Sequence, residues 1–115
     1  MKEFLLIFRI EAKAPEPSLS PEQIQGMMKP WQDWIGGLAA QNKLVGAGNR
    51  LEHDGRVIRP NNVITNGPYV DIKESVGGYT IIKAGSLDEA TELSKGCPII
   101  RMGGSVEVRT IIPMN

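Results

Sequence analysis

Cysteine and histidine occur once each in this chain, as Cys97 and His53. One thiol cannot close an intrachain disulfide, so nothing here implies an oxidising compartment. One His and one Cys without spaced partners supply no structural zinc site, and no metal is expected. An excess of charge is also missing: 13 Lys and Arg balance 13 Asp and Glu. That argues against a strongly basic nucleic-acid surface, and it does little to keep copies of the chain apart. Long apolar runs are lacking as well. The N-terminal stretch MKEFLLIFRIEAK meets Arg9 and Glu11 too early for a signal-peptide core and falls far short of the roughly 20 residues of a membrane span. The expectation is a soluble, cytoplasmic protein without nucleic-acid or membrane partners. At 115 residues it forms one domain with a small core.

Against these absences stand well-marked elements. KEFLLIFRI is short and almost continuously apolar, as a strand buried on both faces would be. SPEQ opens a helix, with Ser20 as N-cap, Pro21 in the first turn and Gln23 closing a capping box. Ile24, Met27, Met28, Trp31, Ile35, Leu38 and Ala39 continue it at helical spacing toward Asn42, with a kink expected at Pro30. Asp54-Gly55, between RLEH and RVIR, reads as a two-residue hairpin turn over 51–58, and NNVIT adds a short strand. GGYTIIKA is a strand. SLDEATELSKG is a second helix, capped by Ser86 and Glu89, stopped at Gly96, and buried along Leu87, Ala90 and Leu93. GSVEVRTII is the last strand.

Strand, helix, strands, strand, helix, strand is most economically an α+β, ferredoxin-like sandwich: an antiparallel sheet with two helices on one face, elaborated by the extra hairpin. Two helices roof one sheet face. The sets Phe4, Leu6, Phe8, Ile10; Thr80, Ile82, Ala84; and Val106, Val108, Ile112 suit that face. The opposite sets are Leu5, Ile7, Arg9; Tyr79, Ile81, Lys83; and Glu107, Arg109, Ile111. They are too apolar for open water and too charged for a dry core. The expectation is a homodimer through this face, with its charges lining a cavity; the alternative is a monomer with a solvated face.

The run NGPYVDIKESVGGY resembles the DGPF…KE…GGY signature of the YCII-related, or DGPF-domain, proteins. FLLIFR, WQDWIGGLAAQNKLVGAGNRL, ELSKGCP and GGSVEVRTIIPM extend the resemblance over essentially the whole chain, as a single YCII-related domain of residues 1–115. The resemblance implies a dimeric α+β barrel. Gly67, Pro68, Lys73, Glu74, Gly77, Gly78 and Tyr79 match the signature, whereas Asn66 replaces its Asp and Tyr69 its Phe. Asn cannot act as a general base. A first-helix His, to which another branch of the family owes a catalytic reading, falls at Trp31.

Each candidate has a plain and a functional reading. The turn at Asn66–Tyr69 is either punctuation between strands or a pocket rim. Gly77 and Gly78 fit a bulge or a close backbone approach, without the spacing of a phosphate loop, and no cofactor is expected. Lys73 and Glu74 belong to a solvated loop or to the pocket. Glu107 and Arg109 share a face and form an ion pair, or Arg109 and Arg9 capture a ligand carboxylate or phosphate. His53 is an exposed turn residue or a base. Cys97 is read as a small buried hydrophobe past a helix C-terminus. Trp31 and Trp34 pack the helix on the sheet or wall a planar ligand.

Two functions follow. One is a small-molecule-binding or regulatory protein, with an inter-subunit cavity edged by Arg9, Asn66, Tyr69, Tyr79, Glu107 and Arg109. The other is a cofactor-free enzyme on a small aromatic or carboxylated compound, with His53 or Glu74 as base.

Overall fold

The computed structural model describes residues 1–10, 20–52, 54–67 and 75–114. Among these residues, six strands and two α-helices follow in the order β1 (Lys2–Arg9), α1 (Pro21–Ala40), β2 (Leu44–Gly46), β3 (Arg56–Arg59), β4 (Val63–Asn66), β5 (Val76–Ala84), α2 (Leu87–Ser94) and β6 (Ser105–Thr110). Strands β2, β5, β1 and β6 form one antiparallel sheet in that order, and β3 with β4 forms a separate two-stranded sheet. This is the expected ferredoxin-like arrangement, with the hairpin inserted between the second and third core strands.

Local chemistry starts both helices. Gln23 N–H donates to Ser20 Oγ at 3.2 Å and Ser20 N–H to Gln23 Oε1 at 2.8 Å, a closed capping box followed directly by Pro21. The helix then runs through Pro30 to Ala40. At α2 the expected capping box is half formed: Glu89 N–H donates to Ser86 Oγ at 3.1 Å. The Glu89 carboxylate is engaged by Lys43 Nζ at 2.7 Å, which ties the start of α2 to the residue just before β2. That contact holds the Glu89 carboxyl below its ordinary value.

One parity of the sheet makes the core. Phe4, Leu6, Phe8, Ile82 and Ala84 are buried together with Leu38 of α1, Ala90 of α2, Cys97 and Ile99. Phe8 lies edge-on to Trp31 and Trp34, with ring centroids 5.3 and 6.1 Å away. Trp34 Nε1 donates to the Leu93 carbonyl at 3.0 Å, so the two helices are joined through an aromatic that also packs on the sheet. Both Trp residues therefore serve packing. Cys97 is buried as expected, and burial pushes its thiol up to about 11.

Four expectations are corrected. The hairpin does not turn at Asp54-Gly55: Arg56 to Arg59 pair with Asn66 to Val63, and the chain reverses at Pro60–Asn62. Asn61 and Asn62 take φ of 67° and 63°, a left-handed backbone that Asn tolerates better than most residues, and this pair outcompetes the Asp-Gly signal. Ile24, Met27 and Met28 are exposed, because the packing of α1 on the core begins at Trp31 and its first half runs beyond it. Leu87 is exposed at the first position of α2, where the buried residues are Ala90 and Ser94. Ile112 is also exposed, since β6 ends at Thr110.

Candidate functional site

The open face of the sheet can be read row by row from its register. Tyr79 of β5, Ile7 of β1 and Glu107 of β6 stand side by side; the next row is Ile81, Leu5 and Arg109. Arg9 follows Ile7 on the same side of β1. Strands about 4.8 Å apart put Tyr79 roughly 10 Å from Glu107 across the apolar floor of Ile7. Leu5, Ile7, Tyr79 and Ile81 are all half-buried although neither helix lies on this side.

The β6 side of this floor is charged. Arg9 donates to Glu107 Oε1 at 2.9 Å and Arg109 to Glu107 Oε2 at 3.1 Å, so one carboxylate is held by two guanidinium groups from neighbouring strands. The Arg9 hydrogen bond, then that of Arg109, keeps the Glu107 carboxyl below its ordinary value of 4.5. A depressed carboxyl is a poor proton acceptor near neutrality, so Glu107 acts as a fixed anion that orients two cations. The Arg109 side chain is 68% exposed.

The sign of the pH dependence follows. A carboxyl depressed in the folded chain contributes stability above its unfolded value, and that contribution is lost as pH falls through the folded value. The carboxyl carbon shift of Glu107, followed by NMR, is expected to titrate below 4.5. In Arg9→Gln its midpoint should move upward; an unmoved midpoint would mean that Arg9 does not hold it.

On the β5 side, Asn49 Nδ2 donates to Tyr79 Oη at 3.2 Å. Asn49 was absent from the sequence candidates. The signal for it was the neighbouring glycines. A side chain at Gly48 (φ 75°) would place its Cβ 1.7 Å from the Tyr79 carbonyl oxygen, and one at Gly78 2.9 Å from that of Asn49. The segment before the hairpin thus lies directly on β5, with Tyr79 N–H donating to the Asn49 carbonyl at 3.2 Å.

Gly77 and Gly78 do mark a bulge, as expected: Phe8 pairs with Gly78 and Arg9 with Val76, which leaves Gly77 without a partner on β1. Gly67 adopts φ of 85°, a left-handed backbone that glycine takes without strain. Of the proposed ligand residues, Arg9, Tyr79, Glu107 and Arg109 share the open face. Asn66 ends β4 opposite Arg56 and so belongs to the hairpin. His53, Pro68, Tyr69, Lys73 and Glu74 lie outside the described residues. A recess of about 500 Å³ opens on the helix side, between α1 and the turn after α2, lined among others by Lys29, Asp33, Trp34 and Arg101. Lys29 and Asp33 there pair with each other at 3.2 Å.

This architecture can be set beside known proteins. A family model described as the YCII-related domain matches residues 4–115. The chain belongs to the YCII-related family. The match takes in every strand and helix of the sandwich apart from the first two residues of β1. No curated protein matches the chain. Within the YCII-related fold seen here, the position read as a first-helix His in another branch is Trp31, packed edge-on to Phe8. Among the described residues, no helix is long and apolar enough to cross a membrane.

Proposed function

We propose that this YCII-related protein is a non-enzymatic small-molecule-binding or regulatory protein. Its ligand site is the open sheet face, enclosed when two copies pair through that face. The observation that carries this reading is the clamp of Arg9 and Arg109 on Glu107 beside an apolar floor. Arg109 presents an exposed guanidinium at the rim, and Leu5, Ile7 and Ile81 offer a dry surface about 10 Å across. A compound with a carboxylate or phosphate at one end and a small apolar body meets both. Tyr79, held by Asn49, supplies a hydroxyl at the opposite border. Half-buried Leu5, Ile7 and Ile81 favour a second copy as the cover, since a solvated face is normally polar.

Thermal-shift measurement with small aliphatic and aromatic carboxylates and with phosphate esters tests this reading. A true ligand at about 100 times its dissociation constant raises stability by roughly 2.7 kcal/mol. Arg109→Ala is expected to abolish that shift while leaving the unliganded melting temperature nearly unchanged, because its side chain is largely exposed. An identical shift in the variant would remove Arg109 from the site. Light scattering at micromolar concentration is expected to give the mass of two chains.

A further inference from the structure

The hairpin β3–β4 is separate from the four-stranded sheet, and it carries its apolar residues outward. Ile58 and Ile64 oppose each other on one face and are 74% and 61% exposed; Val63, on the other face, is 51% exposed. A two-stranded hairpin alone is marginally stable in water, and an exposed apolar cross-strand pair adds at most about 1 kcal/mol to it.

The dimensions of the whole chain also exceed those of a compact domain. Its radius of gyration is 15.9 Å, against about 13 Å for a compact domain of this length. Its accessible surface is 8449 Å², roughly 2,200 Å² more than a compact monomer of its mass exposes. A stable interface takes about 800 Å² from each partner. The surplus exceeds that share, and the hairpin is an element with apolar area to spare.

We infer that β3–β4 is an arm that grips a second copy of this chain, burying Ile58 and Ile64 against it. This rests on the dimer reading above and adds a second contact region to it. The arm is rooted at the polar end of the open face, where Leu51 N–H donates to the Gly77 carbonyl at 2.9 Å and Arg50 bridges to Gly78. The same end of the sheet carries Arg9 and the start of β6. A symmetric pair closed by two arms buries an isologous surface, which explains why one chain can expose both an unroofed sheet and an apolar arm.

Sedimentation equilibrium on the full chain tests the inference with Ile58→Asp/Ile64→Asp, alongside Ile7→Asp on the sheet face. The arm variant is expected to raise the dimer dissociation constant at least tenfold, with an unchanged far-UV spectrum. A wild-type dimer whose dissociation constant is unaffected by the arm variant overturns the arm while leaving the sheet-face dimer standing. A wild-type monomer overturns both. If the Asp pair disturbs the hairpin, Ile58→Thr/Ile64→Thr keeps strand propensity and removes apolar area, and the same two outcomes decide.

Discussion

Phe8→Ala is expected to cost about 3–5 kcal/mol, the range for removing a buried aromatic ring from a core. Phe8 is 6% exposed and lies edge-on to both Trp31 and Trp34. Those two rings also touch each other, at 6.2 Å and an interplanar angle of 77°. Truncation therefore empties the centre of a three-ring cluster, and each lost ring contact adds about 0.5–1.5 kcal/mol to the area effect. Domains of this size are stable by only about 5–15 kcal/mol, so the variant would be close to unfolding. Urea titration followed by Trp fluorescence reads the effect directly. A loss under about 1 kcal/mol would mean that the cluster closes over the gap and that the rings do not pin β1. The neighbours of Phe8 on β1 are Ile7 and Arg9, both on the open face, so the same triad underlies the position of the proposed site.

The second large effect is expected at Gly48. Its backbone has φ of 75°, and a Cβ would sit 1.7 Å from the Tyr79 carbonyl oxygen and 2.6 Å from the carbonyl carbon. Both obstacles are backbone, so no rotamer change relieves them. Close by, Thr80 Oγ1 donates to the Ala47 carbonyl at 2.9 Å, and the Asn49 carbonyl receives Tyr79 N–H. Gly48→Ala is expected to lose about 3 kcal/mol through left-handed strain and forced separation of the two segments. It should also free Tyr79 from Asn49. Gly36→Ala is the control: Gly36 is helical with nothing within 4 Å of an added Cβ, so Ala should gain up to about 1 kcal/mol. Opposite signs in urea midpoints would support the packing described; equal small effects would contradict it.

The sandwich was legible because its signals are local. Ser20 with Gln23, Ser86 with Glu89, and the alternation Phe4, Leu6, Phe8 each follow from the backbone groups or the pleat next to them. The hairpin was legible as an element but not in its register. Asp54-Gly55 and Asn61-Asn62 both offer turn residues, and only pairing of Ile58 with Ile64 discriminates between them. The first half of α1 misled for a different reason. Helical periodicity gives a face, not what lies beneath it, and Ile24, Met27 and Met28 have no sheet under them. Of the site, the Arg9, Glu107 and Arg109 set could be read from parity alone. Asn49 could not, since its contact with Tyr79 depends on the close approach that Gly48 and Gly78 permit.

Gly77 has a mechanical corollary. It stands unopposed in the β1 ladder, and its carbonyl takes the Leu51 amide that anchors the arm. A tug on the hairpin is thus delivered to the opening residues of β5, two positions ahead of Tyr79, while Lys83 at the far end of that strand is well removed from the load.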